Sequence, residues 1–277
     1  MKLFGKLVNF EFRRFLPIYI TLLAVVFLIQ AASVVFHAFV MKSDITESVV
    51  KYGMSKEQFL YDNGLVSMVN ILSGFMFTMP IVIAAVTIFI YILFIWYRDW
   101  LGKNTFIYRL LMLPVKRIQL FFSKGAAILI FVFGLIAYQI AILPVLQLIL
   151  KMIIPVDYRQ DLTAQGMIRS FYYLKLLLPE HFIDFIINYS FGISFVILLF
   201  TMILIERSYR FRGIIMAAFY GIGALILVFS PYILQVILEG YFYENELLWM
   251  QFAIAIIVSI ISIFFSNHLL NRKIRVG

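Results

Sequence analysis

Residues 66–97 read VSMVNILSGFMFTMPIVIAAVTIFIYILFIWY, 32 consecutive positions without a charged side chain. About 20 apolar residues carry a helix across roughly 30 Å of hydrocarbon. The stretch therefore implies a membrane-spanning helix, with length to spare for tilt or protrusion. Five other stretches read the same way: Pro17 to Val40, Ile118 to Leu150, Phe182 to Ile205, Gly213 to Leu238 and Leu247 to Leu270. Pro80, Pro144 and Pro231 sit inside spans, where each is expected to kink the helix or free a carbonyl for another partner. The expected fold class is an all-α integral membrane protein with six transmembrane helices, forming one domain over residues 1–277.

The polar segments between the spans orient the chain. Those that would share a side with the N-terminus hold 16 of the 23 Lys and Arg but only 3 of the 14 acids; the others hold 7 bases and 11 acids. Lys and Arg close to spans are retained in the cytoplasm. Both termini are thus expected inside, in a multi-pass protein of the plasma membrane.

Composition agrees with this class. The chain is 64% hydrophobic and only 13% charged, with a mean hydropathy of +1.02, against about a quarter charged in soluble domains. The net charge of +9 is concentrated beside spans, where anionic lipid and the insertion bias account for it, so no nucleic-acid partner is expected. With no Cys there is no disulfide framework, thiolate metal site or cysteine nucleophile. Ala31-Ala32-Ser33 superficially resembles a signal-cleavage site, but the run from Pro17 to Phe39 is too long for an h-region and a charged segment of 16 residues precedes it. An uncleaved first span is the expectation.

Met1 to Leu16 is amphipathic. At 100° per residue Lys2, Lys6, Asn9 and Arg13 share a narrow stripe, while Leu3, Phe4, Leu7, Val8, Phe10, Phe12 and Phe15 fill the other side. Such a helix lies at the interface, and Pro17 is expected to break its direction before the first span. Glu11 violates the pattern, since its carboxylate falls on the apolar arc and must be paired or hydrated. Two partners are open: Arg14 three residues on, or a basic inside loop such as the one carrying Arg109 and Lys116.

Residues 98–124 form the most basic inside segment, with Arg98, Lys103, Arg109, Lys116, Arg117 and Lys124 against Asp99 alone. Asn104 or Thr105 is suited to cap a short helix from Phe106 to Leu113, which Pro114 ends. Phe106, Leu110 and Leu113 fall on one side, with Tyr108, Arg109 and Met112 spread over the others. This amphipathic piece is shaped either to dock into a groove on another protein or to anchor in lipid.

Here the chain resembles the permease subunits of type 2 ATP-binding-cassette exporters. The resemblance rests on Asn9-Phe10-Glu11-Phe12-Arg13-Arg14, and on Leu110-Leu111-Met112-Leu113-Pro114-Val115-Lys116-Arg117 followed by Ser123-Lys124-Gly125. Six spans with both termini inside agree with it. The resemblance implies that residues 1–16 are the family's elbow helix and about 105–113 its coupling helix. Glu11, Arg13, Arg14, Phe106, Tyr108, Arg109, Leu110, Met112, Lys116 and Arg117 would then face a cytoplasmic ATPase. It further implies a second permease copy or paralogue as partner, and ATP and Mg bound by the ATPase rather than by this chain. Bacterial exporters of amphipathic or antimicrobial peptides are the relatives it points to. The long outside loop between the third and fourth spans, and the short one between the fifth and sixth, depart from the family's layout.

No nucleotide-binding loop is present: neither Gly5-Lys6-Leu7 nor Gly102-Lys103-Asn104 supplies a Gly-rich turn with Lys before Ser or Thr. Ser194 lies mid-span, but His37, His181 and His268 fall near the faces, so no nucleophile and base share a depth. Glu180, His181 and Asp184 read as a solvated helix start rather than a cation site. Gln30, Asn70, Gln139, Gln147, Asn188 and Gln235 are candidates both for a translocation path and for interhelical hydrogen bonds, and any one of them is read first as structural. Gly213, Ala217 and Gly221 recur every four residues and make a packing face, within the subunit or across a dimer. Two other classes remain open: a standalone ion-coupled transporter or channel, which the lack of mid-span charges disfavours, and a non-transporting anchor or sensor.

Overall fold

A computed structural model describes residues 2–101 and 106–274. In chain order the elements are α1 (Lys2–Thr46), ending in a π-helical turn (Glu47–Lys51), α2 (Lys56–Asn63), β1 (Val66–Ser67), α3 (Met68–Leu72), α4 (Phe75–Trp100) and α5 (Phe106–Leu111). There follow α6 (Ile118–Ile153), β2 (Arg159–Gln160), α7 (Ala164–Ser170), α8 (Tyr172–Leu177), α9 (Phe182–Ile237) and α10 (Glu244–Arg272). Among the described residues six helical segments are long and apolar enough to cross a membrane: Leu3–Lys51, Phe75–Trp100, Ile118–Ile153, Phe182–Tyr209, Phe211–Ile237 and Glu244–Arg272. The chain is an all-α, multi-pass membrane protein.

Helical hydrogen bonding runs on through Pro17, so α1 extends from Lys2 to Thr46 without a helix end there. Proline removes one intrahelical donor, and one lost bond does not end a helix held by packing on both sides. Tyr19 and Phe15 bury their rings around Phe131 with centroids 4.8 and 4.9 Å away, and the Tyr19 hydroxyl donates to the Phe131 carbonyl at 3.1 Å.

The second span starts at Phe75 rather than Val66. Val66–Ser67 instead pairs in parallel with Arg159–Gln160. The Ser67 hydroxyl caps α3 by accepting from the Val69 N–H at 3.1 Å. The outer segment between α6 and α9 forms two short helices, α7 and α8, parted at Phe171, whose backbone is extended (φ −93°, ψ 106°) and whose buried ring packs edge-on against Phe77 at 5.7 Å.

Helical hydrogen bonding is assigned throughout α9, yet the chain doubles back within it. A straight helix would hold Met202 and Gly221 about 28 Å apart at 1.5 Å per residue. Instead a Cβ built on Gly221 would lie 2.6 Å from the Met202 methyl, and one on Gly213 2.5 Å from the Glu206 carbonyl oxygen. The reversal falls between Glu206 and Gly213. Thr201 on the first and Tyr220 on the second both reach α10, hydrogen-bonding Ser266 at 2.9 Å and Ser262 at 2.6 Å respectively.

Two compact units emerge. One comprises Met1–Arg14, Phe89–Leu129 and His181–Gly277; its aromatic centre is Trp96, Phe121 and Phe200, all essentially without solvent exposure. The other comprises Phe15–Ile88 and Ile130–Glu180, with a core of Val34, Met68, Leu72, Phe77, Leu143 and Phe171. Inside that core Gln139 donates to the Gln30 side chain at 3.3 Å, and Gln30 to the Phe77 carbonyl at 3.4 Å.

Candidate functional site

The first unit contains a linear chain of five charged side chains. Arg98 donates to Glu11 Oε2 at 2.7 Å, Lys124 to Glu11 Oε1 at 2.6 Å and to Asp99 Oδ2 at 2.5 Å, and Arg14 to Asp99 Oδ1 at 2.7 Å. The order is Arg98–Glu11–Lys124–Asp99–Arg14, with cations at both ends. Glu11, Asp99 and Lys124 are buried, whereas the side chains of Arg98 and Arg14 are 19% and 27% exposed.

Local structure explains why these groups meet. Glu11 and Arg14 are three residues apart on α1, hence on one face. Arg98 and Asp99 occupy the last turn of α4, where a cation complements the helix dipole. Lys124 lies in the second turn of α6. Its ammonium has three donors, and all are used, the third on the Ile95 carbonyl at 3.0 Å. The Trp96 ring lies 5.2 Å away. Every carboxylate oxygen of Glu11 and Asp99 accepts a charge-assisted bond, which is what makes burial of these ions tolerable.

Of the two partners expected for Glu11, Arg14 is not the observed one, whereas the basic segment 98–124 is, through Arg98 and Lys124 at its two ends. Arg14 is drawn to Asp99, and its guanidinium also lies over Phe10 and Phe106 at 4.9 and 5.3 Å. Arg109 and Lys116 are exposed and do not pair with Glu11. The face bearing Glu11 is covered by protein, as the second alternative held, but through Arg98 and Lys124. Asp99, Arg98 and Lys124 were not foreseen as site residues. The available signals were that Asp99 is the lone acid of a basic segment and Lys124 the lone charge within an otherwise apolar run.

The short helix of the basic loop is α5, ending at Leu111 instead of Leu113, because the last turn tightens: the Leu113 N–H bonds the Leu110 carbonyl at 3.3 Å. Its expected caps, Asn104 and Thr105, lie outside the described residues, as do Gly102 and Lys103. Ile107, Leu110 and Leu111 are buried, and Phe106 stacks on Phe10 at 5.6 Å. Tyr108 is half-buried, while Arg109, Met112, Leu113, Pro114 and Lys116 are exposed, as is Arg13 on α1. Arg117 is engaged within the chain, donating to the carbonyls of Leu270 and Ile274 at 2.5 and 2.9 Å at the end of α10.

Of the small-residue face, Gly213 and Gly221 meet the preceding half of α9 and Ala217 is buried. Gln235 brackets the Phe242 backbone with bonds of 2.8 and 2.9 Å, closing the turn into α10. Glu180 faces Arg169 at 3.5 Å, and among the described residues no three His, Asp or Glu converge as metal ligands. Compared with protein families, with curated proteins and with solved structures, the chain finds no match.

Proposed function

We propose that this chain is the membrane-spanning subunit of an exporter powered by a separate cytoplasmic ATPase, with α5 as the element that receives the ATPase. The observation that carries the reading is the buried ion chain together with the stacking of Phe106 on Phe10. A helix that relays a push must not be a loosely attached loop. Here α5 is packed onto the start of α1, and that start is tied by Glu11 and Arg14 to the end of α4 and the head of α6. Displacing α5 therefore moves the ends of three spans together.

The ridge of half-buried Tyr108 and exposed Arg109, Met112, Leu113 and Lys116 is the surface offered to the ATPase, mixing apolar anchors with cations. ATP and Mg belong to that partner. A second permease copy or paralogue completes the path for an amphipathic or hydrophobic cargo, with peptides the leading class, in a bacterial plasma membrane. The test is co-expression with candidate ATPases, purification through this chain, and ATP hydrolysis with and without amphipathic peptides. Co-purification that Arg109→Glu weakens supports the reading; if no ATPase is retained, it fails.

A further inference from the structure

A second feature of the first unit lies beside α5. Between α1 and α5 runs a groove of about 340 Å³ whose lining is apolar except for Lys6 and Arg109. Leu7, Phe10, Leu110 and Leu113 form its floor and walls. Both cations are exposed, and neither has an ion-pair or hydrogen-bond partner among the described residues. Among the described residues the groove's lining holds no carboxylate.

A neighbouring face of α1 shows where its start lies. Glu11 bonds Lys124, yet Phe4, seven residues earlier, shares a crevice with Gly125, Leu129 and Ile193. A helix running straight out past the head of α6 would carry Phe4 about 10 Å away from the apolar run. It lines a crevice together with Leu129 instead, five residues further along α6 than Lys124. The start of α1 thus lies beside the first turns of α6, near Lys124, the last charge of that helix before Lys151.

We propose that this groove binds an anionic phospholipid, with one acyl chain on the floor of Leu7, Phe10, Leu110 and Leu113 and its phosphate between Lys6 and Arg109. The complementarity is specific to such a molecule. It joins a negative headgroup to an apolar chain, and it is abundant in the leaflet that the charge bias of this chain faces. The assignment does not rest on the exporter reading. If both hold, the lipid braces the wall of α5 opposite the ion chain.

The test uses the full chain in nanodiscs of phosphatidylcholine alone or mixed with phosphatidylglycerol, followed by native mass spectrometry of retained lipid. The wild type should retain one phosphatidylglycerol in preference to phosphatidylcholine. Removing a surface base should weaken this about fivefold, and Lys6→Gln with Arg109→Gln about 25-fold. Leu113→Gln should lower retention of both lipids, and Lys56→Gln, on an exposed pair with Asp157, should change nothing. Equal retention of the two lipids, or a preference that survives the double substitution, overturns the site. Because phosphatidylglycerol retention is read without any ATPase, it is independent of the outcome for the exporter.

Discussion

Lys124 Nζ lies 2.6 Å from Glu11 Oε1 across 113 residues of sequence, and neither side chain is more than 4% exposed. Removing one partner of a buried pair leaves an uncompensated charge and costs about 3–5 kcal/mol. Lys124→Met would strand two carboxylates, Glu11 and Asp99, against only the two flanking arginines. We expect it to lower the thermal midpoint in detergent sharply, whereas Lys56→Met, which breaks the exposed pair with Asp157, should cost no more than about 1 kcal/mol. Comparable shifts for the two variants would remove the ion chain from its organising role.

The glycines of the doubled-back helix should separate by what an added methyl meets. Gly223 has nothing within 4 Å, so Gly223→Ala should stabilise by about 0.5–1 kcal/mol through helix propensity. Gly221→Ala meets only the Met202 thioether, which can swing aside, and should be near neutral. Gly213→Ala meets the carbonyl oxygens of Glu206 and Ile205 at 2.5 and 2.8 Å, both backbone, and should destabilise by about 1–3 kcal/mol. Differential scanning fluorimetry should rank the three in that order; Gly213→Ala as the most stable would refute the reversal at that point.

Spans were legible because apolar length is a one-dimensional signal, and Glu11 because a carboxylate on an apolar arc demands a partner. What sequence left open was which partner, since Arg98, Asp99 and Lys124 become neighbours only when α4 and α6 are packed. Sequence also did not decide whether helical hydrogen bonding continues past Pro17, as it does. A local rule about a missing donor gave way to burial of Phe15 and Tyr19 around Phe131. The second span was begun too early because Val66 and Ser67 are apolar enough to read as membrane, yet they form a strand with Arg159 and Gln160. A distant partner again decided the outcome.

Arg117 should behave as a cap on α10. Its guanidinium takes two carbonyls at the last turn, where orphan acceptors and the dipole favour a cation. Arg117→Gln is expected to cost about 1–2 kcal/mol and to speed hydrogen exchange over residues 269–274, leaving exchange in α5 unchanged. Faster exchange in α5 alone would instead tie Arg117 to the coupling helix.

Acid should loosen the segment after α6. The hydrogen bond from Lys151 holds the Asp161 carboxyl below its usual 3.8, helped by Lys151's charge and by Arg159, while burial opposes them. A carboxyl depressed in the folded state contributes order that is fully present above its unfolded value and is lost as pH falls through the folded one. Exchange measured around residues 159–162 should be flat from neutral pH down to about 4, after correction for intrinsic rates, and rise below it. Asp161→Asn should abolish that rise, and a variant that keeps it would assign the effect to another group.

The two faces of α5 should separate stability from coupling. Leu110 is buried, so Leu110→Ala removes packed methyl groups and should destabilise by about 2–5 kcal/mol. Met112 is 69% exposed and carries no fold contact of that kind, so Met112→Ala should leave the thermal midpoint within about 0.5 kcal/mol. If this ridge receives an ATPase, an exposed apolar anchor of that size is the residue type whose truncation weakens an interface by about 1 kcal/mol or more. Met112→Ala and Lys116→Glu should then reduce ATPase retention and peptide-stimulated hydrolysis in a chain that unfolds normally, while Leu110→Ala should lose both together. A Met112→Ala chain that is fully stable and fully coupled would move the docking surface off α5, and the ion chain would then brace a helix that receives nothing.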